Sequence, residues 1–250
     1  MGDPFRLDGM TALVTGGAQG IGLGIARGLR DAGAEVVIVD LDGAAAAAAA
    51  DAIGARHEVV DLRDLDATAA LADRVGAVDV LVNNAGVYPP SAWDELTPEQ
   101  FDEVLGVNLR GPLFFTQAIV RHMQRGSIIN LASISAFRPG APGLVHYGAS
   151  KGAMLTITKH LAVVLAPRGI RVNALVPGGI RTPGTGRMSE GTSMTDIERN
   201  AYIAAFAARV PLGRLGEPAD FAGPAVFLAS SASAYVTGAV ITVDGGMLLV

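Results

Sequence analysis

An α/β fold built on a single doubly wound parallel β-sheet, with helices on both faces, is the class this sequence predicts. Three observations carry that expectation. Short apolar runs alternate with longer helical segments along all 250 residues, and such alternation makes a parallel sheet with crossover helices on both sides. The first apolar run ends in a glycine-rich turn, Thr15-Gly16-Gly17-Ala18-Gln19-Gly20-Ile21-Gly22. No Pro/Ser-rich linker, charge block or internal repeat divides the chain, so one domain spanning 1–250 is expected.

Taken in order, residues 10–14 are the first strand and 21–32 the first helix, stopped by Gly33. Residues 35–39 are a second buried strand closed by Asp40. The alanine-rich stretch 44–52 is expected as an ordinary exposed helix, alanine being the best helix former. Strands follow at 56–60 and 78–82, with a helix around 67–75 between them. Thr97-Pro98-Glu99 supplies an N-cap and first turn for a long helical region. Strands at 127–131 and 170–176 flank a helix carrying Tyr147 and Lys151, and 239–243 is the last strand. Residues 180–214 break the rhythm: they are rich in Gly, Thr, Ser and Met, with a helix at about 196–208. A late insertion of this kind is read as a small lid over a binding site, against the plainer alternative of a surface loop.

Composition narrows the function. Half the residues are hydrophobic and 17% charged, the balance of a compact globular protein. The net charge of −5 and the lack of any basic run argue against nucleic acid or an anionic membrane as partner. There is no cysteine, so disulfides and cysteine-ligated metals are excluded, and His57, His122 and His160 are too scattered to imply a metal. The first residues lack the apolar stretch of a signal peptide, and no apolar run is long enough to cross a bilayer. A soluble cytoplasmic protein is the expectation.

Two motifs carry chemistry. Tyr147-Gly-Ala-Ser-Lys151 sets a phenol four residues ahead of an ammonium, on one face of a helix. The cation favours tyrosinate, but bringing a phenol down to neutrality takes about 4 kcal/mol of differential stabilisation. That is demanding for one lysine, and a second cation such as an oxidised nicotinamide ring would help. The glycine turn lets backbone N–H groups approach a pyrophosphate at the positive end of the following helix. Asp40 lies eighteen residues beyond Gly22, where a carboxylate can accept from the ribose hydroxyls of NAD and repel a 2′-phosphate. Gln19 and Leu41 are neutral and would not rescue NADP, so NAD is the expected cofactor. A helix N-cap role for Asp40 is the structural alternative.

With Asn83-Asn84-Ala85-Gly86, Asn108-Leu-Arg-Gly, Asn130-Leu-Ala-Ser133, Arg171-Val-Asn-Ala-Leu-Val-Pro177-Gly178 and Val243-Asp-Gly-Gly246 in this order, the chain resembles the short-chain dehydrogenase/reductase family from residue 7 to about 247. The resemblance implies a Rossmann-type fold and an NAD-dependent oxidoreductase of a secondary alcohol or ketone. It assigns Thr15, Gly16, Gln19, Gly20, Ile21 and Gly22 to the pyrophosphate side of the cofactor, and Asp61 with the Leu62 backbone to adenine. Asn83, Ala85 and Gly86 would line the adenosine side and steady the central strand, with Asn84 the weakest of that group. Pro177, Gly178, Ile180 and Thr182 would flank the nicotinamide. The catalytic set would be Asn108, Ser133, Tyr147 and Lys151: tyrosine as acid–base, serine on the substrate oxygen, lysine on tyrosine and ribose, and asparagine holding a water. Ser133 lies fourteen residues before Tyr147, about one more than the family's usual spacing, and Ser135 competes with it. His146 points away from Tyr147 by about 100°. Tyr88, Trp93, Arg187, Met188 and Met194 fall near the expected pocket rim. A 3-oxoacyl-thioester reductase and a non-catalytic NAD-binding sensor remain as alternatives, and the family resemblance implies a homotetramer.

Overall fold

The computed structural model describes residues 2–140, 142–183 and 195–250. The strands are β1 (Thr11–Thr15), β2 (Glu35–Asp40), β3 (Arg56–Val59), β4 (Val80–Asn83), β5 (Gly126–Leu131), β6 (Ile170–Pro177) and β7 (Val240–Val243). They form one seven-stranded sheet in the order β3-β2-β1-β4-β5-β6-β7, every pair parallel. Each strand lies within two residues of its expected position. The helices are α1 (Gly20–Asp31), α2 (Gly43–Ile53), α3 (Leu65–Val75), α4 (Pro98–Leu105), α5 (Gly111–Val120), α6 (Val145–Leu165), α7 (Asp196–Ala208) and α8 (Ala222–Ala229).

The inner strands read as near-continuous apolar runs because both faces are covered; β3, at one edge, is the largely exposed Arg56-His57-Glu58-Val59. Successive residues point to opposite sides. Val36 and Ile38 of β2 join Ala12 and Val14 of β1 in a core against α1, α2 and α8. Leu13, Val37 and Val39 join a second core against α3, α5 and α6. Helix α2 corrects one expectation, for it is not simply exposed: Ala46, Ala49 and Ala50 are buried at helical spacing. Its methyl face is thin enough to lie close on the sheet, which composition alone does not reveal. Helix α8 was not anticipated; the stretch is apolar nearly all round, so it shows no amphipathic period.

The long helical region begins as expected, with Thr97 and Gln100 forming a capping box and Pro98 in the first turn. It is not uniform. Gly106–Arg110 is a π-helical turn, in which the Gly111 N–H bonds the Gly106 carbonyl. Pro112 has no N–H for the carbonyl four residues back, so the α pattern is already broken there.

Strand order reverses at β1, which pairs with β2 on one side and β4 on the other. In open parallel sheets the crevice at that switch point, beyond the carboxyl ends of the strands, is where ligands bind. The glycine turn after β1 and Asn84-Ala85-Gly86 after β4 both emerge there.

Candidate active site

A cleft of about 1230 Å³ runs along the carboxyl edge of the sheet. Thr15, Gly16, Gln19, Gly20, Ile21, Asp40, Leu41, Asp61, Leu62, Ala85, Gly86, Ser133, Tyr147, Lys151, Pro177, Gly178, Ile180 and Thr182 all line it. Gly22, Asn83 and Asn108 stand behind its wall. Arg187, Met188, Met194 and the middle of the expected lid lie outside the described residues; α7, from the same insertion, lines the cleft with Ile203 and Phe206.

The turn after β1 has no room for a side chain at Gly16 or Gly22. Gly16 sits at φ +60, and a Cβ there would lie 2.8 Å from the Ala85 Cα; one on Gly22 would lie 2.2 Å from the Gly16 carbonyl oxygen. Asn84 locks this turn by donating from Nδ2 to the carbonyls of Thr15 and Gly16, each at 2.9 Å. The residue with the weakest sequence assignment therefore shapes the turn directly. Thr15 lines the cleft, and its buried hydroxyl donates to the Val82 carbonyl and accepts from the Asn84 and Ala85 N–H groups. It ties β1 to β4. Helix α1 starts at this turn, and its N-cap Gln19 places no side-chain acceptor on the helix N–H groups, which suits an external anion.

Asp40 closes β2 with Oδ2 accepting from the Ala18 N–H at 3.1 Å and Oδ1 from the Asp42 N–H at 3.2 Å. It does not cap α2; Asp42 does, accepting from the Ala45 N–H. The helix-cap alternative for Asp40 is thus removed. Asp61 faces the same end of the cleft but is gripped by Arg63, Nη2 to Oδ2 at 2.6 Å, which holds its carboxyl below the usual range. The tight glycine turn, the bare helix start and the carboxylates beyond it fit a dinucleotide with its adenosine on the β2–β3 side.

Farther along the cleft, α6 carries Tyr147 and Lys151 on one face. The Lys151 ammonium donates to the Leu131 carbonyl at 2.8 Å and lies 5.7 Å from the Tyr147 ring centroid. Tyr88 meets that ring edge-on, centroids 5.6 Å apart. Burial pushes the Tyr147 phenol up, while a hydrogen bond to Ser133 pulls the other way. Burial also pushes Lys151 down, to about 8. This corrects the simple electrostatic expectation: in the polypeptide alone desolvation wins, and the lysine does not bring the phenol toward neutrality. Between the two candidate serines the geometry separates roles. Ser133 interacts with the phenol, whereas Ser135 turns its backbone N–H onto the Ser133 Oγ at 3.1 Å.

Asn108 is held inward by the π turn. Its Oδ1 accepts from the Val87 N–H and its Nδ2 donates to the Val87 carbonyl, both at 2.8 Å, and also to the Ser150 Oγ at 3.1 Å. It clamps the strand-to-loop exit of β4; it makes no direct bond to Lys151. Asn83 is structural, its Nδ2 bridging Thr116 and Asn130 within the core. His146 is buried and bonds the Pro89 carbonyl at 3.0 Å, so it anchors the loop that carries Tyr88. Trp93 is 75% exposed and does not line the cleft. The basic residues Arg138 and Arg209, which do line it, were not singled out in the sequence, because no local pattern marks them.

The fold and this cleft define a nicotinamide-dinucleotide oxidoreductase. A family model described as enoyl-(acyl carrier protein) reductase matches residues 16–248. The chain is 37% identical to gluconate 5-dehydrogenase of Gluconobacter oxydans, over 98% of this chain and 97% of the relative. It is 39% identical to galactitol 2-dehydrogenase (L-tagatose-forming) of Cereibacter sphaeroides, over 97% and 96%. Among solved structures, a gluconate 5-dehydrogenase from Burkholderia cenocepacia in complex with NADP and tartrate superposes with a TM-score of 0.89, at 37% identity, covering 99% of this chain and 98% of that one. The chain belongs to the short-chain dehydrogenase/reductase family, and it is an oxidoreductase of secondary alcohols and ketones.

Proposed function

We propose that this chain oxidises a secondary hydroxyl of a small polyhydroxylated substrate, or reduces the matching ketone, with NAD preferred and Tyr147 as the acid–base. The observation that supports this best is the meeting of Tyr147, Ser133 and Lys151 in one cleft with the glycine turn. A bound oxidised nicotinamide supplies the hydride acceptor and a second positive charge. In oxidation the Tyr147 phenolate takes the hydroxyl proton as the carbinol carbon loses hydride; in reduction the phenol returns the proton to the carbonyl oxygen. Ser133 already accepts from the Ser135 N–H, so the proton it shares with the Tyr147 phenol is the one it turns to the substrate oxygen, stabilising developing charge there. An ammonium has three donors; Lys151 spends one on Leu131, keeping the others for a ribose hydroxyl and the phenol side. Asn108, by fixing Val87, sets the wall beside Tyr88 and Tyr147, and a water between it and Lys151 would complete the set.

The NAD preference rests on Asp40. A 2′-phosphate would meet Asp40 and Asp42, and the basic residue lining that end, Arg63, is already spent on Asp61. NADP in the Burkholderia relative makes the phosphorylated cofactor the alternative to test. Self-association fits the exposed apolar side chains of the long helices, among them Phe114, Val145, Val163 and Val164; a tetramer is the proposed state.

The test follows nicotinamide absorbance with NAD and NADP over a panel of polyols, hydroxy acids, cyclic alcohols and a 3-oxoacyl thioester. Turnover of a secondary alcohol with higher kcat/KM for NAD is expected, and Tyr147→Phe should lower kcat at least ~10²-fold. Near-normal turnover in that variant removes Tyr147 from the chemistry, and a clear NADP preference overturns the role of Asp40.

A further inference from the structure

Charge is unevenly distributed along the cleft. Its acidic lining residues, Asp40, Asp42, Asp61 and Glu103, belong to the β2–β3 side and to α4. From residue 131 onward no described lining residue is acidic, and three are arginines: Arg138, Arg181 and Arg209. Arg181 is paired with Glu217 at 3.2 Å. The other two pair with no Asp or Glu side chain among the described residues. Among the described residues Arg138 bonds the Met247 carbonyl and a Val250 main-chain oxygen, both through Nη1, at 2.9 and 3.1 Å, and its other donors meet none of them. Arg209, just past the end of α7, is exposed and its guanidinium makes no hydrogen bond or ion pair with the described residues.

The two come together in space. Arg138, Arg209, Met247 and Val250 line a side cavity of about 280 Å³, and the first three also line the main cleft. Both arginines hang from segments that build the reaction site. Arg138 follows Ser133 by five residues. Arg209 lies one turn beyond Phe206, whose ring covers Gly179 next to the proposed nicotinamide loop. Two arginines lining one small cavity repel each other, and an anion bound between them offsets that repulsion through charge-assisted hydrogen bonds.

We infer that the substrate carries a carboxylate and that Arg138 and Arg209 bind it, making this a dehydrogenase of polyhydroxy acids and their keto forms in preference to neutral polyols. The inference rests on the function proposed above and deepens it. The relatives act, by their names, on an acid (gluconate) and on a neutral polyol (galactitol); the arginine pair selects the acid.

The experiment compares gluconate with galactitol as substrates of the wild type, Arg138→Ala, Arg209→Ala and Arg209→Lys, with circular dichroism to check folding. Wild type should favour gluconate at least about tenfold in kcat/KM, and each alanine variant should lower that preference about tenfold, mainly through KM, the scale of one charge-assisted hydrogen bond. Arg209→Lys should recover part of it, and added salt should erode the wild-type preference. Equal or better use of galactitol, a parallel fall for both substrates, or a changed oligomeric state in Arg209→Ala would overturn the inference; the last would mean that the arginine pairs between copies of the chain. Thermal shift reads the subsite without turnover: gluconate should raise the Tm of wild type and not that of the double alanine variant. If no alcohol is oxidised, the proposed function fails, and this shift alone still decides for or against the anion subsite.

Discussion

Replacing Lys151 with methionine should remove turnover while leaving the protein at least as stable as wild type near neutral pH. The ammonium is buried, donates to the Leu131 carbonyl, and is held down to about 8 from its ordinary value of 10.5. The folded chain therefore binds this proton more weakly than the unfolded chain. The resulting destabilisation is full below the folded value, relieved as pH rises through it, and gone above the unfolded one. Its size is about 3 kcal/mol. Methionine removes that cost but strands the Leu131 carbonyl, at about 1–3 kcal/mol. The net change near neutrality is thus between zero and a gain of about 2 kcal/mol. The pH dependence is the sharper readout: relative to the methionine variant, wild type should gain about 2 kcal/mol between roughly pH 7 and 9.5. Urea unfolding of both proteins at the two pH values measures it, and other titrating groups cancel because both chains share them. A flat difference would refute the reasoning, since it would mean that folding does not desolvate the ammonium. A difference of opposite sign would mean that a nearby negative charge holds the proton, with a Tyr147 phenolate the first suspect.

Three further outcomes are expected. Ser133→Ala should lower kcat about 10²-fold, whereas Ser135→Ala, which keeps the backbone N–H on Ser133, should lower it far less; the reverse order would move the catalytic assignment to Ser135. Asp40→Ala should narrow the gap between NAD and NADP in kcat/KM, and an unchanged ratio would show that the carboxylate serves only the Ala18 and Asp42 N–H groups. Gly22→Ala drives a methyl into the Gly16 carbonyl and the Asn84 amide. It should cost about 1–3 kcal/mol, read as a lower Tm together with a raised KM for the cofactor, and normal values of both would show that the turn has room.

The sequence by itself determined what depends on neighbours along the chain. Most strand positions followed from apolar runs such as 36–39, because a strand covered on both faces needs apolar side chains on both. The start of α4 followed from Thr97 and Pro98, and the expected place of the cofactor from glycines that permit a tight turn with no side chain in the way. The pairing of Tyr147 with Lys151 was legible because helix geometry fixes it. Tertiary structure decided what depends on segments far apart. Asn84 became the lock of the glycine turn only when β4 was laid beside β1. The phenol shifts upward because burial, a property of the whole fold, outweighs the Ser133 hydrogen bond. Arg138 and Arg209, 71 residues apart in a chain of 250, have no shared pattern, and the carboxyl edge of the sheet brings them to one cavity. Helix α8 escaped notice because a helix apolar on all sides carries no period to read.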